Sequence, residues 1–138
     1  MVAKRSGGAI QVAVGCAADP RGSGIAYARI AGRAGQHLLR VPFLAERSAP
    51  AERGAGYAAL TAVARALRER GVGRVRFLLD DPSLLADLAG RGSLPDALVL
   101  SYVRLRCALN QFSDVGFAAI ASGDLTQRAR AEVALRAA

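Results

Sequence analysis

Ala9-Ile10-Gln11-Val12-Ala13-Val14, then Asp19-Pro20-Arg21-Gly22-Ser23-Gly24, then Ile25-Ala26-Tyr27-Ala28-Arg29-Ile30 stand close together near the start of the chain. In the first of these stretches Ile10, Val12 and Val14 alternate with Ala9, Gln11 and Ala13, and a period of two predicts a strand. The middle stretch is turn chemistry, because Pro presets φ, Gly accepts positive φ, and Asp and Ser bond nearby amides. The third stretch reads as a second strand. A Gly-rich turn, Ala31-Gly32-Arg33-Ala34-Gly35, leads to a third strand around His37 to Val41. Strands joined by turns this short predict an antiparallel meander, since parallel neighbours need a long crossover.

Downstream, the period changes. Ser48 and Pro50 suit the opening of a helix on which Tyr57, Leu60, Val63, Ala64 and Leu67 share one stripe, with Arg65, Arg68 and Arg70 outside it. Gly71 stops that helix, and residues 72–79 form a fourth strand that can pair in parallel across it. Asp80-Asp81 lies at its carboxyl end. A short helix is expected over residues 83–89, followed by turn residues Gly90, Gly92 and Pro95. Asp96 can then cap a longer helix carrying Leu98, Tyr102, Leu105 and Leu109. Residues 115–120 are the fifth strand, and Asp124 is expected to cap a last helix to Ala138 that carries Arg128, Arg130 and Arg136.

The chain has 138 residues, 52% apolar and 22% charged, the size and balance of a single globular domain with residues 1–8 expected to be disordered. Nineteen basic side chains, all but Lys4 arginine, against 11 acids give a formal charge of +8. An anionic partner follows naturally, but the arginines are scattered and form no tract, so genome composition explains the charge equally well. Cys16, Cys107 and the lone His37 have no zinc-ligand spacing, and two buried apolar thiols are expected. Lys4-Arg5 before an apolar stretch superficially resembles an export signal. That stretch is short and interrupted by Gln11, which favours a first strand and a cytoplasmic protein. No segment approaches the roughly 18–20 apolar residues of a membrane span.

The order strand-strand-strand-helix-strand-helix-helix-strand-helix resembles the ribonuclease H family over nearly the whole chain. Asp19-Pro20 followed by Gly24-Ile25 looks like that family's Asn-Pro-Gly turn leading to Gly-Ile or Gly-Val. Ala55-Gly56-Tyr57-Ala58-Ala59-Leu60 looks like its Ala-Glu-Tyr-x-Ala-Leu helix. The strand before Asp80 and the helix ending Leu88-Ala89-Gly90 look like its strand, Asp-Ser step and short helix closing in Leu-x-Gly. The resemblance implies an α/β fold: a five-stranded mixed sheet, made of a three-strand antiparallel meander plus parallel strands, flanked by helices.

It also implies a chemistry. Family members cleave RNA in hybrids with two Mg²⁺ ions about 3.5–4 Å apart, clamped between carboxylates and the scissile phosphate. Magnesium demands hard oxygen ligands that Ala or Gly cannot supply. The family's first-strand Asp matches Ala13 or Gly15 here, and its helix Glu matches Gly56, which should face the end of the first strand. The Asp after the fourth strand matches Asp80. The last Asp matches Arg128 when Asp124 is placed under the family's Asn. Only Asp80 remains of the four acids, and a strand-end Asp commonly caps the next helix, a role open equally to Asp81.

The expectation is therefore a non-catalytic ribonuclease H-like domain without cofactor. It would bind nucleic acid (hybrid, RNA or DNA duplex) through Arg21, Arg128 and Arg130, or bind a protein partner. One alternative is a Mg²⁺-dependent ribonuclease with a rearranged site, in which Glu52, one helical turn before Gly56, joins Asp80, Asp19 and Asp124. Another is a structural or oligomerisation domain, with the oligomeric state open.

Overall fold

The computed structural model describes residues 9–32, 35–46 and 51–137. The expected openers Ser48 and Pro50, and the stretch 1–8 expected to be disordered, lie outside these. β1 (Ile10–Ala18), β2 (Ser23–Gly32) and β3 (Gly35–Leu44) form the antiparallel meander, with Val12 opposite Ile30 and Ala26 opposite Val41. Each strand runs beyond its alternating stretch because the ladder continues into the turns. Asp19 closes the first turn: its carboxylate accepts from the amides of Arg21 (2.9 Å) and Ser23 (3.0 Å), while Gly22 takes φ of 91°.

α1 (Ala51–Glu69) carries the chain across the sheet, so that β4 (Arg74–Leu79) pairs in parallel with β1. β5 (Asp114–Ala119) adds in parallel to β4, giving the order β3-β2-β1-β4-β5. α2 (Pro82–Leu88), a 3₁₀ turn (Asp96–Leu98), α3 (Val99–Leu109) and α4 (Asp124–Ala137) complete the chain. Asp96 does not cap α3. Pro95 precedes it in extended conformation, the chain takes the tighter turn, and Leu98 heads α3 without a side-chain cap. Among the described residues no helix is long and apolar enough to cross a membrane.

Strand alternation sorts the core into two unequal layers. Val12, Val14, Ala26, Ala28, Phe77 and Leu79 face α1 and join its stripe of Tyr57, Leu60, Val63, Ala64 and Leu67. Leu60, Val63, Leu67 and Phe77 are fully buried, each contributing about 1.5–3 kcal/mol relative to exposure. On the other face α4 lies across β1 and β2, and Leu125 and Ala129 pack with Ala13, Ile25 and Tyr27. Both β1 positions matched to the family's first Asp thus belong to the α4 face, whereas Val14 and Cys16 lie on the α1 face.

Gly15 makes this second layer possible. A Cβ there would overlap the backbone nitrogen of Thr126 and come 2.6 Å from the carbonyl carbon of Leu125, so the first turn of α4 rests directly on β1. Because the obstacle is backbone, Gly15→Ala should shift α4 and destabilise the protein by about 1–3 kcal/mol. Urea unfolding monitored by circular dichroism checks this. A variant as stable as the parent would mean that α4 does not approach so closely.

Candidate functional site

At the carboxyl ends of the parallel strands β1 and β4, a cleft of about 550 Å³ opens between the β1–β2 turn, the N-terminal half of α1 and the first turns of α4. Open α/β sheets place ligands at such strand ends because loops and helix termini converge there. Asp80 and Asp81 stand on its wall, immediately after β4.

Strand parity gives these neighbours different tasks. Leu79 belongs to the α1-side core, so Asp80 turns toward α4 and accepts a hydrogen bond from the Thr126 hydroxyl at 2.8 Å. Asp80 is therefore not the cap. Asp81 is: its carboxylate accepts from the amides of Ser83 (3.0 Å) and Leu84 (3.2 Å) at the head of α2. Gly56 lines the cleft together with Cys16, Ala17 and Ala18 at the end of β1, and it also borders α2. A Cβ there would sit 3.1 Å from Asp81 Oδ2 and 3.7 Å from Leu84 Cδ2, so this position is directed at the head of α2.

Toward the end of β1, Cys16 meets α1 through its thiol, which donates to the Ala55 carbonyl at 3.9 Å. Burial pushes that thiol up to about 12, with Asp80 and Asp81 adding to the shift and Arg130 opposing it. It is held as a neutral thiol and is no nucleophile near neutral pH. Cys107, expected to be buried, is exposed on α3, and both cysteines are free.

Of the arginines singled out from the sequence, Arg21 and Arg130 line the cleft. Arg128 does not. Its guanidinium lies 4.9 Å over the ring of Tyr27, whose hydroxyl donates to Glu132. Arg40 and Tyr27 hold the Glu132 carboxyl down at about 2. The reason is rotational: with Leu125 and Ala129 buried against the sheet, Thr126 and Arg130, four residues apart, share the flank toward Asp80, and Arg128 falls on another. The α4 residue facing Asp80 is Thr126, two positions before the register that aligned Arg128.

Arg53 was not singled out from sequence, yet it too lines the cleft. It pairs at 2.5 Å with Asp87, a buried carboxylate that also accepts from the Tyr57 hydroxyl at 2.5 Å. Burial and this bond to Asp87 push the Tyr57 phenol above its usual range. The spacing of Arg53 and Tyr57, one helical turn apart, was the available signal. A Cβ on Gly92 would overlap the Asp87 carboxylate, so the loop after α2 closes over the pair.

The acids of the rearranged metal site are not brought together. Asp19 and Asp80 both line the cleft, but Asp19 is bound to turn amides and Asp80 to Thr126. Asp124 does not line it. Its carboxyl is lowered by hydrogen bonds from Arg29 and Ser122. The side chain of Glu52 lies outside the described residues. Among the described residues no three His, Cys, Asp or Glu side chains gather as a metal site would require. Among the described residues, the acids are not gathered as a pair of Mg²⁺ ions would require.

Neither a protein-family model nor a curated protein matches this sequence. Solved structures do match the fold. RNase H1 from the halophilic archaeon Halobacterium salinarum superposes with a TM-score of 0.72 at 21% identity, covering 95% of this chain and 100% of that one. The N-terminal RNase H domain of a Mycobacterium tuberculosis protein, solved as a maltose binding protein fusion, gives 0.68 at 15% identity, covering 94% and 100%. LC11-RNase H1 in complex with an RNA/DNA hybrid gives 0.62 at 13%, covering 88% and 91%. At these identities the likeness shows the fold alone, and that fold is ribonuclease H-like.

The two thiols give a direct check on the cleft. At pH 8 the exposed Cys107 should react with iodoacetamide, while Cys16, protonated until about pH 12 and covered by α1, should react at least tenfold more slowly in the native state. Peptide mass spectrometry reads both sites. Equal rates would mean that the cleft floor is open.

Proposed function

We propose that this chain is a ribonuclease H-like domain that binds nucleic acid, as hybrid or duplex, without cleaving it. The fold supports a nucleic-acid-binding or nuclease domain, and one structural neighbour holds an RNA/DNA hybrid. The observation that carries the non-cleaving half is the company Asp80 keeps: a threonine hydroxyl at 2.8 Å, and on α1 a glycine where the resemblance implies a glutamate. Two-metal hydrolysis depends on carboxylates that bridge and neutralise the ions. Of the four carboxylates that line the cleft, Asp19 and Asp81 are taken by backbone amides, Glu46 by Arg104 and Asp80 by Thr126.

A second reading, contact with a protein partner, draws on α3. Val99, Leu100 and Val103 are 45%, 52% and 49% exposed within five residues of one helix, and clustered exposed apolar side chains mark contact surfaces.

The purified chain, incubated with labelled RNA/DNA hybrid and Mg²⁺ or Mn²⁺, should show no cleavage above background, and Asp80→Asn should change nothing. The same hybrid should bind at low salt and weaken as salt rises, because each neutralised phosphate releases counterions. Cleavage abolished by Asp80→Asn would overturn the non-cleaving reading. Absence of binding at low salt would transfer the weight to the protein-contact surface on α3.

A further inference from the structure

The resemblance implies divalent cations in this cleft, and among the described residues the acids are not gathered as a pair of them would require. We propose that the cleft holds a single phosphodiester directly between Arg21 and Arg130, with no metal ion. This rests on the nucleic-acid reading for the source of the diester and adds what holds it and which phosphate it accepts.

Two groups of charges line the cleft, and they differ in what already holds them. The carboxylates are Asp19, Glu46, Asp80 and Asp81. Asp19 receives two turn amides, Glu46 pairs with Arg104, Asp80 receives the Thr126 hydroxyl and Asp81 receives two helix amides. Among the arginines, Arg53 is bound to Asp87. Arg21 and Arg130 are exposed and, among the described residues, have no carboxylate within 4.0 Å. The donors still open in this cleft are therefore two guanidinium forks on separate elements, one on the turn that Asp19 fixes and one a helical turn beyond Thr126. Forks of this kind match phosphate oxygens geometrically and bind by directed, charge-assisted hydrogen bonds.

The same residues set the valence of the ligand. Hydrogen bonding does not remove the charges of Asp80 and Asp81, and the cleft has no excess of cations over carboxylates. A dianionic terminal phosphate would be repelled twice as strongly as a monoanionic diester. The backbone phosphate of a nucleic acid carries one charge and suits the two arginines.

Hybrid binding by the full chain, read by fluorescence anisotropy, should be the same in EDTA as in Mg²⁺. Arg21→Ala with Arg130→Ala should weaken it at least tenfold and reduce the salt slope by about one, the value for a single phosphate. Arg68→Ala, far along α1, should change it less than twofold. The Lys pair Arg21→Lys with Arg130→Lys should restore only part of the loss. In parallel, dimethyl phosphate at millimolar concentration should shift the side-chain NMR signals of Arg21 and Arg130 more than inorganic phosphate does at neutral pH. Binding that needs Mg²⁺, or full rescue by lysine, would overturn the proposal. Undiminished binding by the double alanine variant would overturn it while leaving the nucleic-acid reading intact. If no hybrid binds, that reading fails, and the dimethyl phosphate shifts decide the site by themselves: their absence removes it.

Discussion

The contact between the first turn of α4 and the bare backbone of β1 at Gly15 sets the arrangement of the site. With no Cβ between them, helix and strand touch main chain to main chain, which leaves α4 little freedom to rotate or slide. Leu125 and Ala129 are then directed at the sheet, and Thr126 and Arg130 turn toward the end of β4. Even the stacking of Arg128 on Tyr27 follows from that rotation. A single missing side chain on a strand thus decides which residues of a distant helix meet Asp80.

The opposite wall is governed by a different rule. Asp81 serves the amides of α2, as short polar side chains at helix starts do, and its second oxygen lies where a side chain at Gly56 would project. A carboxylate added to Gly56 would approach one already present. The cleft is therefore furnished with acids that serve the fold, each held by an amide, a hydroxyl or a guanidinium. Among the described residues that line it, Arg21 and Arg130 are the basic side chains with no carboxylate within 4.0 Å.

Most of the fold was legible because burial enforces period. Val12 and Val14 alternate with Ala13 since each set faces a different layer, and Tyr57 to Leu67 keep a helical stripe because one side of α1 is sealed against the sheet. The extent of α1 up to Gly71 was legible for the same reason. What sequence pattern could not supply was rotation and rank between equivalent groups. Asp80 and Asp81 are the same residue type, and only their parity on β4 assigns the cap to the second. Asp124 as a helix start led to a register two residues late, because it is held by Arg29 and Ser122 and does not mark the flank facing the cleft. Asp96 had the chemistry of a cap, but the preceding proline favoured the tighter turn. Arg53 escaped notice because its partner, Asp87, is thirty-four positions away.

The pair formed by those two residues has a mechanical meaning. Asp87 sits near the end of α2, Arg53 near the start of α1, and Gly92 presses the following loop onto the carboxylate between them. A buried charge bonded on several sides resists displacement, since separating it from either partner would leave it desolvated and uncompensated. The loop after α2 is thereby anchored to the wall of the cleft although it contributes nothing to the lining. A side chain at Gly92 would press on the Asp87 carboxylate and, through it, on Arg53. The site has a remote tether whose integrity rests on a glycine.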